Sequence, residues 1–195
     1  MGKMNKLGDK VRHIREIKNI SIEDLAKESG VGADLITRIE EGDFIPSLTP
    51  LIKLSRVLGV RLGTFLDDQE IEGPVITRKG DFARVMRVSG VSGTGSVEAK
   101  SDLEFFSLAH DKSGRHMEPF MIEIEPSSAK DIKTSSHEGE EFIYVLDGRV
   151  EILYGKSTHL LETGDSIYYD SVVPHHVHSA DGAAAKILAV VYAPF

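Results

Sequence analysis

The stretch SIEDLAKESGVGADLITRIEEG, Ser21 to Gly42, decides the fold of the first third of the chain. Ser21 is followed three residues later by Asp24, which is typical of a helix N-terminus with a capping serine. Apolar residues then recur at three- and four-residue spacing, and Gly30 and Gly42 stand where helices should stop. The stretch therefore predicts two short helices joined by a tight glycine turn.

The rest of residues 1–66 continues the helical pattern. Apolar residues recur at helical spacing around Val11 and again around Leu51, and Gly59 marks the end of a fourth helix. A short fifth helix is predicted at Leu62–Leu66. Two consecutive helices with a tight turn between them are the core of a helix-turn-helix, so the pattern predicts a five-helix domain built around that motif.

Residues 7–66 resemble the DNA-binding domain of Xre-type, phage-repressor-like regulators. Small, apolar and glycine positions carry the resemblance at fixed offsets: Ala26, Gly30, Val31, Ile36, Arg38-Ile39-Glu40, Gly42 and Pro46-Ser47-Leu48. In that family an arginine of the first helix pairs with a glutamate, and the matching residues here are Arg15 and Glu40. The resemblance implies a transcriptional regulator that binds a double-stranded DNA operator.

The docking geometry of the motif indicates which residues face DNA. The second helix of a helix-turn-helix enters the major groove with its first turn toward the base edges. The positions that this geometry selects are Gly32, Ala33, Asp34, Thr37 and Arg38. Phosphate contacts are expected from Arg12, Lys18, Arg38, Lys53 and the backbone amides at the Ser47 helix start. For any one basic residue, the alternative is a solvated surface charge.

Charge is distributed unevenly between the two parts of the chain. The formal net charge is −8, but residues 1–66 carry 11 Lys+Arg against 9 Asp+Glu, whereas residues 67–195 carry 12 against 22. The asymmetry indicates two domains with different partners. Because the helical domain has a net charge of only +2, we expect modest DNA binding per domain. A homodimer is therefore expected, with recognition helices about 34 Å apart on two half-sites.

From about Gly73 the sequence changes to a period of two. β-branched and aromatic runs occur at 120–125, 142–146, 150–154 and 187–192, with Gly, Pro and Asp between them. Such a series of short strands predicts an all-β sandwich or barrel. The predicted fold class is therefore α + β, with a helix-turn-helix domain over residues 1–66, a linker over 67–74 and a β-barrel domain over 75–195.

The second half contains His137-x3-Glu141-x6-Gly148, then Gly164-Asp165, then Pro174-His175. This spacing, over residues 135–178, resembles the two motifs of cupins, which are double-stranded β-helix barrels with a metal in the interior. Strand residues an even number apart face the same side, so His137 and Glu141 are predicted to point into the barrel. His175, on another strand, is predicted to close the site. Two histidines and one carboxylate are the ligands of non-haem iron oxygenases.

The chain departs from the cupin pattern at two positions. Ser135 stands where the first motif normally has a further histidine, and Ser179 stands where the second motif often ends in asparagine. A three-ligand site is therefore expected, and its nitrogen and oxygen donors admit iron, manganese, nickel or zinc. The alternative is that His137 and Glu141 only hydrogen-bond to each other in a polar barrel mouth.

Aromatic residues near the motifs are candidates for an effector pocket. We select Phe120, Tyr144 and Tyr168 as lining residues for a small-molecule effector, with core packing as the alternative. A repressor-like head joined to a cupin resembles one-component regulators, in which the barrel binds a metabolite. Two other hypotheses are an iron enzyme similar to the fosfomycin-pathway epoxidases, and a barrel that serves only to dimerise the protein.

The composition excludes several other functions. The chain has no cysteine, so disulfides, thiolate zinc sites and cysteine nucleophiles are ruled out. No stretch approaches the roughly 20 apolar residues of a membrane helix, and the first residues lack a secretory pattern. The sequence therefore predicts a cytoplasmic protein without a membrane partner.

Overall fold

The computed structural model describes residues 6–44, 46–66, 73–81, 83–88, 103–112, 114–126 and 134–194, with backbone only for 83–88. Its helices and strands group into two compact units, one that contains all five helices and one that contains the strands. The predicted boundaries at 66 and 75 stay predictions, and most of the predicted linker lies outside the described residues. Within these ranges, no helix is both long and apolar enough to cross a membrane.

The helical unit has the five helices that the sequence predicts. They are α1 (Lys6–Ile17), α2 (Ile22–Ser29), α3 (Ala33–Glu41), α4 (Leu48–Leu58) and α5 (Leu62–Leu66). The side chain of Ser21 caps α2 by accepting the Asp24 N–H at 3.0 Å. Helices α2, α3 and α4 end at Gly30, Gly42 and Gly59, each with a left-handed backbone. Since glycine adopts this conformation without a steric penalty, local sequence places the helix ends.

The core of the helical unit lies between α1, the α2–α3 pair and α4. Its side chains are fully or almost fully excluded from solvent: Val11, Leu25, Ile36, Ile39, Leu51, Leu54, Leu58 and Phe65. They come from each of the five helices, so the recognition helix α3 is held by its apolar face while its opposite face is exposed.

The β unit consists of two antiparallel sheets in the described residues. The strands are β1 (Ala83–Val88), β2 (Leu103–Ser107), β3 (Met117–Ile124), β4 (Glu140–Asp147), β5 (Arg149–Tyr154), β6 (Ser157–Glu162), β7 (Ser166–Asp170), β8 (His175–Ser179) and β9 (Ala185–Tyr192). The first sheet has the order β1-β2-β3-β9-β4-β7, and the second has the order β6-β5-β8. All four strand runs recognised in the sequence lie within, or overlap, β3, β4, β5 and β9.

Burial alternates strictly along the central strands. In β3 and β9 every second residue is buried, and these residues include Phe120, Ile122, Ile187 and Ala189. We call the side of the six-stranded sheet that carries them the inner sheet face. This face forms the core of the β unit and also carries the candidate site.

Candidate metal centre and DNA-binding helix

The turn between α2 and α3 positions the recognition helix. The Gly30 N–H donates to the Ala26 carbonyl at 2.9 Å and ends α2, while Gly32 begins α3 without a side-chain cap. Gly32, the N-cap residue of α3, is exposed, as are Asp34 and Arg38 within the helix, whereas Ala33 and Thr37 are half-buried. The beginning of α3 thus presents exposed residues, and this is the part of a recognition helix that faces the major groove.

A buried ion pair fastens α1 to α3. Arg15 Nε donates to Glu40 Oε1 at 2.7 Å, and Arg15 Nη2 donates to Glu40 Oε2 at 2.8 Å. The Glu40 side chain is 2% exposed. The pairing that the Xre resemblance implied is therefore confirmed, as a bidentate bond that fixes the orientation of the recognition helix.

The structure places the remaining DNA-facing candidates in different settings. Arg12 also lies against Glu40, since its Nη2 donates to the Glu40 carbonyl at 3.0 Å. Lys18 is exposed, and Lys53 is half-buried on α4. Ser47 is the N-cap residue of α4, and its side chain makes no capping bond. Arg12 is thus partly committed to an internal contact, which sequence alone did not indicate.

Three side chains converge on the inner sheet face of the β unit. His137, Glu141 and His175 are 7%, 9% and 4% exposed, and one ligand atom from each lies within 4.8 Å of the others. His137 Nε2 is 2.8 Å from Glu141 Oε1, and His175 Nε2 is 3.4 Å from the same oxygen. The three residues predicted as metal ligands therefore meet at one carboxylate oxygen.

Backbone hydrogen bonds hold the two histidine segments in place. The His137 N–H donates to Ser171 O at 3.0 Å, and the Ser171 N–H donates to Gly139 O at 2.9 Å. Ser135 and His175 exchange two backbone bonds of 2.9 Å each. One part of the sequence prediction is wrong, because β4 begins at Glu140 and His137 lies in the irregular segment 135–139 before it. The backbone bonds of this segment to Ser171, rather than strand alternation, direct His137 inward.

The donor set fits a metal ion. His137 Nδ1 lies 3.1 Å from the Glu138 carbonyl and His175 Nδ1 lies 2.9 Å from the Val173 carbonyl, and a carbonyl oxygen only accepts hydrogen bonds. Each Nδ1 is therefore the donor, which in a neutral ring leaves Nε2 with a lone pair directed at Glu141 Oε1. A cation bound by both Nε2 atoms and this oxygen satisfies all three groups, and such Nδ1–H···O=C bonds are usual for metal-binding histidines.

Electrostatics favour an ionised carboxylate at the centre. Burial alone would raise the pKa of Glu141, but the hydrogen bonds and charges of His137 and His175 outweigh it and hold this pKa far below its usual range. Burial tends to lower the pKa of His175, and the bond to Glu141 reverses this, so the net direction is upward. The site thus attracts positive charge, either as a proton on His175 or as a bound cation.

Two further residues, which sequence reasoning did not select, orient the Glu141 carboxylate. Tyr169 donates its hydroxyl hydrogen to Glu141 Oε2 at 2.8 Å, and Ser171 Oγ donates to Glu141 Oε1 at 3.3 Å. Burial next to the Glu141 charge raises the pKa of Tyr169 strongly, which keeps its phenol protonated as a donor. No signal in the sequence selects them, because Tyr169 lies opposite Glu141 only through the pairing of β7 with β4.

The three candidates for an effector pocket do not come together. Phe120 is fully buried on the inner sheet face, whereas Tyr144 and Tyr168 are exposed on the opposite side of the same sheet. They pair with Leu188 and Phe142, respectively, on that opposite side. Tyr169, one position after Tyr168, is the tyrosine that reaches the metal centre.

Comparison with known proteins agrees with both halves of this description. The profile of the helix-turn-helix family matches residues 11–65, and that of the cupin domain matches residues 120–191. An (S)-2-hydroxypropylphosphonic acid epoxidase of Streptomyces wedmorensis is 26% identical over 85% of this chain and 78% of that protein. The HTH-type transcriptional regulator PuuR of Escherichia coli is 23% identical over 93% of this chain and 91% of that protein.

A solved structure of an HTH_3 family transcriptional regulator from Vibrio cholerae shares the fold. Its TM-score is 0.67 at 18% identity, over 98% of this chain and 97% of that one. The fold and site define a protein with a helix-turn-helix head and a cupin barrel. The chain belongs to the Xre-type helix-turn-helix transcriptional regulators and carries a C-terminal cupin domain.

Proposed function

We propose that the protein is a sequence-specific regulator whose α3 binds the major groove of an operator and whose β unit binds a small-molecule effector together with a divalent metal. The observation that carries the DNA-binding part is the exposed face of α3, held in a fixed orientation by the Arg15–Glu40 pair. A dimer that contacts two half-sites is part of this proposal, because one head with a net charge of +2 offers few phosphate contacts.

Arg38→Ala is expected to weaken specific DNA binding about 10- to 100-fold, since one base-contacting arginine contributes about 1–3 kcal/mol. The guanidinium of Arg38 lies over the Phe44 ring, 5.0 Å from its centroid, and is exposed. The wild-type chain is first used to enrich binding sites from a randomised duplex library. Affinity for the enriched duplex is then measured by fluorescence anisotropy at several salt concentrations.

Arg78→Ala is the matched control, because it removes one exposed cation from the β unit. It is expected to leave affinity within about twofold of wild type. Equal affinity of Arg38→Ala and wild type, with the helical unit folded, would contradict the assigned docking face. Failure of the wild-type chain to enrich any sequence would contradict the proposed function itself.

The effector and metal part of the proposal rests on the triad. The carboxylate of Glu141 is buried, and one of its oxygens lies close to a nitrogen of His137 and a nitrogen of His175, which packing of the core does not require. These nitrogen and oxygen donors suit iron, manganese, nickel or zinc. Bound there, such an ion would offer a Lewis-acidic contact for an anionic or amide effector. His137, Glu141 and His175 would hold it, while Tyr169 and Ser171 keep the carboxylate oriented.

His137→Ala is expected to remove the metal. Elemental analysis of protein purified with all four metals supplied should give close to one ion per wild-type chain and less than about a tenth of that in the variant, because two remaining ligands bind far more weakly. His159→Ala, which removes an exposed histidine of β6, is the control and should keep the wild-type content. Metal-free wild-type protein would contradict a metal centre.

The same triad supports a second candidate function, a mononuclear non-haem iron enzyme. The observation that favours it is the 26% identity to the epoxidase over most of both chains. The test is to incubate the iron-loaded protein with (S)-2-hydroxypropylphosphonic acid, oxygen and a reductant, and to look for an epoxide by phosphorus NMR. Turnover that His137→Ala abolishes would establish the enzyme, whereas operator affinity that changes on metal loading without turnover would favour the regulator.

A further inference from the structure

The two oxygens of the Glu141 carboxylate have different neighbours. Oε1 lies 2.8 Å from His137 Nε2 and 3.4 Å from His175 Nε2. Ser171 Oγ also donates to Oε1, at the longer distance of 3.3 Å. Oε2 instead accepts the hydroxyl hydrogen of Tyr169 at 2.8 Å. Among the residues that the structure describes, the histidines therefore contact one oxygen of Glu141 and the tyrosine contacts the other.

Packing fixes the position of the Tyr169 hydroxyl. Tyr169 of β7 lies directly opposite Glu141 of β4 and is only 5% exposed. The centroid of its ring lies 5.1 Å from that of the His175 ring and 5.3 Å from that of the Tyr154 ring. A buried ring that packs against two other rings has little freedom to turn. The fold therefore holds the hydroxyl beside Oε2, in addition to the hydrogen bond itself.

This hydrogen bond limits how the carboxylate can contact a cation. Carboxylates in proteins bind cations through one oxygen or through both. A cation bound by both histidine nitrogens would lie close to Oε1, because both nitrogens lie close to that oxygen. Contact through both oxygens would require Oε2 to turn toward the histidines and to leave a charge-assisted hydrogen bond from a fixed donor. The Tyr169 hydroxyl thus favours contact through Oε1 alone.

We propose that Tyr169 is a positioning residue that restricts Glu141 to a one-oxygen contact and so keeps a position on the bound cation open for a small anion. This inference rests on the proposed function, because it requires a divalent cation at the triad. A divalent cation held by two neutral imidazoles and one carboxylate retains about one unit of positive charge. The open position therefore suits an anionic effector better than a neutral or cationic one.

The same hydrogen bond also acts through charge. Donation to Oε2 withdraws negative charge from the Glu141 carboxylate, so that this carboxylate neutralises the cation less and an added anion is attracted more strongly. Loss of the hydroxyl should therefore weaken anion binding in two ways. Oε2 can then occupy the open position itself, and the carboxylate neutralises more of the charge on the cation.

The test compares Tyr169→Phe with the wild-type chain after both are loaded with Co(II), an ion that nitrogen and oxygen donors bind and whose visible absorption reports its ligands. The variant loses only the hydroxyl and keeps the ring that packs against His175 and Tyr154. Azide is titrated into each protein, and bound cobalt is measured on the same samples. The variant is expected to hold close to one ion per chain, as the wild type does, but to bind azide at least about tenfold more weakly.

Tyr154→Phe is the matched control. It also removes one tyrosine hydroxyl from the β unit, but this hydroxyl donates to the Asp170 carbonyl at 3.2 Å and not to Glu141. Its azide affinity should stay within about twofold of that of the wild type. A purely structural role of Tyr169 would lower the cobalt content and the stability together, and it would not separate azide affinity from cobalt content.

Equal azide affinity of the wild type and a folded, cobalt-loaded Tyr169→Phe variant would overturn this inference and leave the metal centre in place. Cobalt-loaded wild type that binds no azide would do the same. A folded variant that loses its cobalt would also overturn the inference, because the hydroxyl would then be needed to hold the ion. Wild-type protein that takes up no cobalt would contradict the metal part of the proposed function as well.

If Tyr169→Phe does not fold, a crystal structure of the zinc-loaded wild-type chain decides the question. The ion is expected within about 2.2 Å of Glu141 Oε1, with Oε2 still bonded to the Tyr169 hydroxyl. Both carboxylate oxygens at about that distance from the ion would overturn the inference.

Discussion

Replacing Arg15 with methionine is expected to lower the free energy of unfolding of the helical unit by about 3 kcal/mol or more, because the change leaves the Glu40 carboxylate buried without its main partner. Arg12 compensates only in part, since its Nε lies 3.5 Å from Glu40 Oε2 and its side chain is 42% exposed. Operator affinity should fall along with the folded fraction, because α3 loses its link to α1.

The two units can be followed separately in this experiment. All five tyrosines lie between residues 144 and 192, and the chain has no tryptophan, so near-UV tyrosine ellipticity is dominated by the β unit. Helical far-UV ellipticity follows the other unit. Denaturant unfolding of Arg15→Met should therefore shift the helical transition while the tyrosine transition stays in place.

Arg15→Met/Glu40→Leu is the informative second variant. Replacement of a complete buried ion pair by apolar residues is often neutral or stabilising, so the double variant should recover most of the lost stability. Arg56→Met changes an exposed arginine of α4 whose Nη2 donates to the Glu28 carbonyl at 3.4 Å, and it should cost no more than about 1 kcal/mol. If the helical unfolding transition of Arg15→Met has the same midpoint as that of the wild type, groups other than Arg15 compensate the charge of Glu40.

Gly139→Ala is expected to destabilise the β unit by more than about 3 kcal/mol and to abolish metal binding. Gly139 lies between His137 and Glu141 with φ of +110°, and a Cβ at this position would stand 1.9 Å from the Tyr192 carbonyl oxygen. Since the obstacle is backbone of the central strand β9, the segment around Gly139 must move. Its movement displaces His137 from the shared carboxylate oxygen.

Gly164→Ala separates this collision from ordinary backbone strain. Gly164 has φ of +99°, but nothing lies within 4 Å of an added Cβ. It should therefore cost only about 1–3 kcal/mol and should retain the metal. The measurements are the tyrosine transition and the metal content after dialysis. Equal losses in the two variants would mean that the close approach to Tyr192 is relieved easily and does not position the site.

Much of the helical unit is predictable because its signals are local. Ser21 caps α2, and Gly30, Gly42 and Gly59 end three helices, as their positions relative to the apolar periodicity predict. The strands β3, β4, β5 and β9 follow from alternation in the same way. In each case the residues that specify the element lie within the element or next to it.

The metal ligands were predictable as residue types but not as a geometry. The spacing of His137 and Glu141 and the following Pro174-His175 indicate three ligands, and the structure brings them to one oxygen. Strand alternation predicts the direction of the His137 side chain, but the irregular segment 135–139, bonded to Ser171, determines it. A segment that is held by a distant part of the chain has no local periodicity to detect.

Sequence by itself determined the class of each half: helix ends, strand runs and the chemical identity of the ligands all depend on neighbours along the chain. Tertiary structure alone decided which of two adjacent tyrosines serves the site. Tyr169 faces Glu141 and Tyr168 faces outward because β7 pairs with β4 in one register, and a shift of one residue would exchange them. The same pairings align apolar residues, such as Phe142 and Val190, from strands that are far apart in sequence.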